Sequence, residues 1–195
     1  MSGTGKSTLG SALAQLLDFP YVEGDEIHPT SNVAKMSSGI PLTDEDREPW
    51  LALIRKTAEE KTIRKRIDEQ RSDGKSKRVV GVVIACSALK KYYRDILRGE
   101  AKPCLDTSFS EQSTSSLLPD LQTYFVFIFG SRELLYDRLN KRPGHFMKAS
   151  MLDSQLATLE VPDGEKGVAT VSMEDETEVQ VHEVVDALRK AGLSL

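Results

Sequence analysis

The first eight residues, Met1-Ser2-Gly3-Thr4-Gly5-Lys6-Ser7-Thr8, constrain this chain more than any other stretch. A turn of small residues ends in Gly-Lys-Ser-Thr and runs straight into Leu9, Ala12, Leu13, Leu16 and Leu17. Those offsets put the apolar side chains on one face of a helix. A small-residue turn at a helix N-terminus leaves backbone N–H groups pointing outward. The helix dipole adds partial positive charge, so the turn suits an anion. In such a cradle Gly3, Thr4, Gly5, Lys6, Ser7 and Thr8 would surround phosphates. Lys6 would reach the terminal ones, and the Ser7 hydroxyl is a candidate Mg²⁺ ligand.

The full pattern for a loop of this kind is G-x-x-x-x-G-K-[ST], hung from the end of a buried strand. Counting back from Gly5 puts the first Gly ahead of Met1, and the strand ahead of that. Two expectations stand side by side: a start truncated relative to a longer protein, or a version whose sheet lacks its central strand.

The remaining length, 195 residues in all, is enough for one domain with a sizeable core. With 39% hydrophobic and 29% charged residues and a net charge of −4, nothing global points to nucleic acid or to an anionic membrane. Attraction for an anionic substrate must come from local basic clusters. Cys86 and Cys104 are too few for a disulfide scaffold and fit a reducing compartment. No apolar run reaches membrane-spanning length, and the N-terminus does not read as a signal peptide. Cytoplasm is the expectation.

Strand and helix patterns then alternate. Phe19–Val22 reads as a short strand leading into Glu23-Gly24-Asp25-Glu26-Ile27-His28-Pro29, and residues 30–48 read as polar and irregular. Thr43-Asp44-Glu45-Asp46 offers a cap and first-turn acids for a helix over about 49–71, whose many charges read as a solvated face. Val79–Ala85 is the clearest strand, apolar without alternation as when helices cover both faces. A helix with Leu89, Tyr92, Tyr93, Ile96 and Leu97 on one stripe follows, with Lys90, Lys91, Arg94 and Arg98 away from it. Residues 99–121, rich in Ser and Thr, read as a flexible insertion. Next come a strand at Tyr124–Phe129, a helix from Leu134 to the basic run Arg138–Arg142, and a further helix around Met151–Leu159. A strand at Val168–Val171 and a helix over about 176–191 close the chain. This order predicts an α/β fold with a parallel sheet between helical layers.

Phosphoryl transfer needs a cradle, a cation and a positioned nucleophile. Asp25, at a predicted strand end, is the candidate to orient or deprotonate an acceptor hydroxyl; the same residue type also caps loops. Glu23 is a candidate to bind Mg²⁺ through water and, equally, an ordinary surface acid. Arg47, Lys90, Arg94, Arg138, Lys141 and Arg142 are the cations near predicted strand ends or loop edges. The basic run before Pro143-Gly144 suits a lid over about 140–150, and also suits a solvated helix C-terminus. His28 and His145 are not spaced as a metal site.

Several of these stretches together resemble gluconokinases. They are Gly3–Thr8, Glu23–Pro29, Asn32–Leu51, Cys86-Ser87-Ala88-Leu89-Lys90-Lys91-Tyr92-Tyr93-Arg94-Asp95, and Arg138–Lys148. The likeness runs from residue 2 to about 162, interrupted by the insertion. It implies transfer of the γ-phosphate of ATP, with Mg²⁺, to the 6-hydroxyl of D-gluconate. The fold it implies is the three-layer, nucleoside-monophosphate-kinase-like P-loop type shared with shikimate kinase. Lys6 and Asp25 would then be catalytic. Asp25, His28, Arg47, Lys90 and Arg94 would bind the sugar acid, and Arg138 and Arg142 would serve nucleotide and lid. Two rival expectations remain: a catalytically impaired product lacking its first, central strand, and a kinase of another small hydroxy acid such as shikimate. A homodimer stays open as an assembly.

Overall fold

The computed structural model describes residues 3–72, 79–103, 118, 121–141 and 149–195. Helix α1 (Lys6–Leu17) buries Leu9 and Leu13 of the predicted apolar face but leaves Leu16 exposed, and strand β1 (Tyr21–Glu23) follows it. A 3₁₀ turn over Gly24–Ile27 leads to α2 (Thr30–Ser37) and the long α3 (Asp44–Ser72). Then come β2 (Val83–Ala85), α4 (Lys91–Arg98), β3 (Phe125–Phe129), α5 (Arg132–Lys141), α6 (Ala149–Thr158), β4 (Val168–Ser172) and α7 (Thr177–Lys190).

Helix α2 corrects the reading of 30–48 as irregular. Its stretch is too polar for periodicity to reveal, yet Asn32 is buried, donating from Nδ2 to the Asp46 carbonyl at 2.7 Å. Helix α3 begins five residues earlier than expected, because Thr43 and Asp46 form a reciprocal cap. The Thr43 N–H donates to Asp46 Oδ2 at 2.7 Å, and the Asp46 N–H donates to Thr43 Oγ1 at 3.4 Å. Pro49 is tolerated in the helix near this end. The charged face of α3 is not wholly solvated. Arg55 pairs with Glu59 at 2.8 Å, and its guanidinium donates to the carbonyls of Leu97, Leu118 and Leu121.

The strands form two separate parallel pairs rather than one sheet. In the first, Tyr21, Val22 and Glu23 lie opposite Val83, Ile84 and Ala85. In the second, Phe125–Phe129 lies opposite Val168–Ser172. The strand expected over 79–85 therefore forms a ladder only at its last three residues. Among the described residues no strand lies between β2 and β3. Helices join the halves: α1 packs on β2, α7 on β4, and α1 and α7 on each other. Leu9, Leu13, Trp50, Ile54, Tyr93 and Val184 belong to one continuous core.

The insertion expected at 99–121 and the lid expected at 140–150 fall mostly outside the described residues. Of the insertion, Gly99 closes α4 in the left-handed conformation, and Leu118 and Leu121 meet Arg55.

Candidate active site

The opening turn has the backbone that its glycines predict. Gly3 and Gly5 have φ values of 80° and 91°, a left-handed region that penalises any side chain. A Cβ on Gly3 would also stand 3.2 Å from Leu139 Cγ. Gly5 is the N-cap of α1, its carbonyl accepting from the Leu9 N–H at 3.0 Å, and no side chain caps that end. The first-turn N–H groups thus open onto the cradle, where an anion would satisfy them. Thr4 is buried, Lys6 half-buried, and Ser7 and Thr8 are exposed.

Strand β1 delivers acids to the same place. Ser7 Oγ donates to Glu23 Oε2 at 2.6 Å, and the Tyr21 hydroxyl donates to the same oxygen at 2.7 Å. Burial, reinforced by the Glu23 carboxylate, pushes the Tyr21 phenol up to about 12, so it remains a donor. Asp25 is exposed in the turn just beyond. That turn lies hard against the end of β2, since a Cβ on Gly24 would come within 2.6 Å of the Ala85 carbonyl oxygen. Lys6, Asp25 and Glu23 all act electrostatically on Cys86, which places the cation and both acids around one point. The Cys86 thiol is enclosed by protein, though its residue keeps some exposed surface. Its burial pushes it up to about 11, so it is no nucleophile.

A second group of side chains carries on from Asp25. The Trp50 indole N–H donates to the Gly24 carbonyl at 2.8 Å, pinning the turn from α3. The His28 ring stacks on Trp50, centroids 4.1 Å apart and planes inclined by 11°. Burial holds the His28 imidazole below its ordinary value; the Asp25 charge opposes this shift and the Arg47 charge adds to it. Arg47 is buried, its Nε donating to the Leu42 carbonyl at 3.3 Å and its guanidinium 5.8 Å from the Tyr93 ring centroid. Lys90 pairs with Asp44 at 2.6 Å and also lies over that ring at 5.7 Å. The Tyr93 hydroxyl donates to Asp44 as well. The hydrogen bonds from Lys90 and Tyr93 hold the Asp44 carboxyl below the usual range.

The structure therefore brings Gly3–Thr8, Glu23 and Asp25 together, with His28, Arg47 and Lys90 adjoining. Arg138 of α5 also reaches the cradle. A Cβ on Gly5 would lie 3.8 Å from one of its terminal nitrogens, while the other donates to the Met173 carbonyl. Arg142 lies outside the described residues. Arg94 differs from expectation. It is 3% exposed, not on a polar face, and it grips Glu165 through Nη2 at 2.7 Å and Nε at 3.0 Å. Its Nη1 donates to the carbonyls of Ala88 and Glu160 at 3.2 and 3.3 Å. With every face of the guanidinium taken by protein, Arg94 is a structural lock rather than a wall of an anion pocket. Trp50, Tyr93 and Asp44 went unassigned in the sequence, where each reads as core or cap. Only their contacts with Gly24, His28, Arg47 and Lys90 reveal them.

A glycine-rich cradle opening a helix, on a parallel α/β fold with acids at the neighbouring strand end, defines a P-loop small-molecule kinase. No family model matches the chain. It is 42% identical to a gluconokinase of Gluconobacter oxydans over 185 residues, covering 95% of this chain and 85% of that one. It is 37% identical to a probable gluconokinase of Schizosaccharomyces pombe, covering 97% and 84%. A crystal structure of a gluconokinase from Sinorhizobium meliloti superposes with a TM-score of 0.70 at 38% identity, over 98% of this chain and 89% of that one. The chain belongs to the gluconokinase family.

Proposed function

We propose that the protein transfers the γ-phosphate of ATP to the 6-hydroxyl of D-gluconate, in the cytoplasm. The observation that carries this is the meeting of the phosphate cradle with Glu23 and Asp25, in a chain of this family. The Gly3–Thr8 turn and Lys6 hold the phosphates, and their fixed dipoles stabilise charge as it builds on the transferring group. Ser7 Oγ and Glu23 Oε2, two hard oxygens 2.6 Å apart, fit Mg²⁺, which would neutralise phosphate charge there. Asp25 orients the acceptor hydroxyl and takes up its proton as the new P–O bond forms and the bond to ADP breaks. Trp50 fixes the turn that carries Asp25. Arg47 and Lys90 supply positive charge toward the acceptor's carboxylate, and Arg138 stands by the nucleotide.

The test is a coupled assay of ADP and 6-phosphogluconate formation from ATP and D-gluconate. Activity should fall by about 100-fold or more in Lys6→Ala and in Asp25→Asn. Phosphorylation of shikimate or another hydroxy acid in preference to gluconate would overturn the choice of acceptor. A second reading, nucleotide binding without turnover, rests on the gap between the two strand pairs among the described residues. A thermal shift with Mg-ATP in the absence of any product formation would establish that reading instead.

A further inference from the structure

Between α2 and the start of α3 lies a buried amide to which the phosphoryl transfer assigns no task. Asn32, in the first turn of α2, is only 3% exposed. Its Nδ2 donates to the Asp46 carbonyl at 2.7 Å. A carbonyl can only accept, so this bond settles which end of the amide is the NH₂ group. The same nitrogen lies 3.4 Å from His28 Nδ1. An NH₂ group can only donate, so Nδ1 is the bare, accepting nitrogen of a neutral ring and the proton sits on Nε2. Stacking on Trp50 fixes the plane of that ring. Among the described residues Thr62 Oγ1 is the buried side-chain polar atom left without a partner, so Nε2, which meets none, opens to solvent. The charges acting on the ring are Asp25 from its own turn, which favours an imidazolium, and Arg47 from α3, which with burial opposes one. Lys35 of α2 and Asp46 of α3 pair with each other.

We propose that Asn32 is a positioning residue for the acceptor: it fixes the Nε2–H tautomer of His28, and that N–H donates to a hydroxyl oxygen of the acceptor beside Asp25. The assignment rests on the reading of Asp25 and Arg47 as the acceptor side of the site. With its proton on Nδ1 the ring would present a lone pair at Nε2 and compete with Asp25 for the proton of the reacting hydroxyl. As an imidazolium it would be drawn to the Asp25 carboxylate and occupy the oxygens that the hydroxyl needs. The neutral Nε2–H form does neither, offering one directed donor without charge. An alcohol oxygen suits such a donor, whereas a carboxylate is matched by the cations Arg47 and Lys90. A role confined to joining α2 to α3 would be complete with the Asp46 bond and indifferent to the state of His28.

The experiment reads the imidazole nitrogens of the full chain by NMR after labelling its three histidines with ¹⁵N, the His28 signals being those lost in His28→Gln. The expected spectrum at neutral pH has a bare Nδ1 and a protonated Nε2 at His28. A ring protonated on Nδ1, alone or together with Nε2, would overturn the proposal. Kinetics supply the second arm. Asn32→Leu should raise KM for D-gluconate about tenfold and leave kcat within about twofold, since the lost bond is one that holds the bound acceptor. In the His28→Gln background, whose side-chain amide keeps a donor but has no tautomers, adding Asn32→Leu should change KM by less than about twofold. An equal cost in both backgrounds would overturn the proposal, leaving Asn32 as a brace between helices. Should Asn32→Leu fail to fold, the parent decides: its KM for gluconate should climb in acid with the same midpoint at which the His28 nitrogens titrate. A KM that holds constant across that titration would overturn the proposal as well. The spectrum needs no turnover, so an Nε2–H ring in a chain that phosphorylates no gluconate would count against gluconate as the acceptor and not against the tautomer.

Discussion

At the scale of single residues, the buried ion pair between Arg94 and Glu165 ties together parts of the chain far apart in sequence. Glu165 and Arg94 have side chains only 13% and 4% exposed, and Arg98 adds a second cation to Glu165 at 2.7 Å. The hydrogen bonds from Arg94, then those from Arg98, pull the Glu165 carboxyl from 4.5 down to about 2. A carboxyl depressed on folding contributes stability that is complete above its unfolded value. That contribution drains away as pH falls from about 4.5 toward 2, and is on the order of 3 kcal/mol. The variant Glu165→Gln should therefore melt lower at pH 7, by an amount consistent with a loss of about 3–5 kcal/mol for an orphaned buried guanidinium. Its melting temperature should also fall less steeply than the parent's between pH 5 and pH 3 on the same buffers; parallel curves would contradict this. Trp50→Phe probes the turn. It keeps a ring beneath His28 but removes the donor to the Gly24 carbonyl, and should lower kcat/KM for the acceptor about tenfold while leaving nucleotide binding alone.

Among secondary-structure elements, periodicity was legible where one face is apolar and the partners are near in sequence. Helix α7 and strands β3 and β4 lie within a residue or two of their expected bounds for that reason. The meeting of the Gly3–Thr8 turn with Glu23 and Asp25 was legible because the glycines mark the turn and the apolar pattern before Glu23 marks the strand end. Arg94 was not, because its partner Glu165 lies 71 positions further along the chain and only folding brings them together. Arg55 was misread on the same ground, its carbonyl partners being contributed by α4 and the segment before β3. Helix α2 escaped because Asn32 turns inward to bond a carbonyl, an inward polar residue that no hydrophobic pattern marks. The start of α3 joins these elements. Asp46 accepts from Thr43 in the cap and pairs with Lys35 of α2. Asp46→Ala should cost about 1–2 kcal/mol in denaturant unfolding and speed amide exchange selectively over residues 44–47. Uniform loss across α3 would contradict a capping role. Arg47 follows immediately, so a frayed start should also weaken acceptor binding.

Across the whole molecule, two parallel strand pairs are joined by helices and not by a ladder. Backbone orientation divides their amides into inward and outward sets. Ile84, Val126 and Ile128 should exchange faster than Val83, Phe125 and Phe127, although all six sit within the same short strands. Residue-resolved exchange checks this, and equal rates would mean that both sets are already paired. The spacing between the pairs is in turn governed by side chains. Arg94 ties the helix after β2 to the loop before β4, and Arg55 ties α3 to the approach to β3. A guanidinium is rigid, planar and charged at every accessible pH, so these ties behave as clasps of fixed length on a book whose spine has been left open. The Glu165 carboxylate keeps its charge through the neutral range, so that clasp holds there and weakens only in acid, as Glu165 takes a proton.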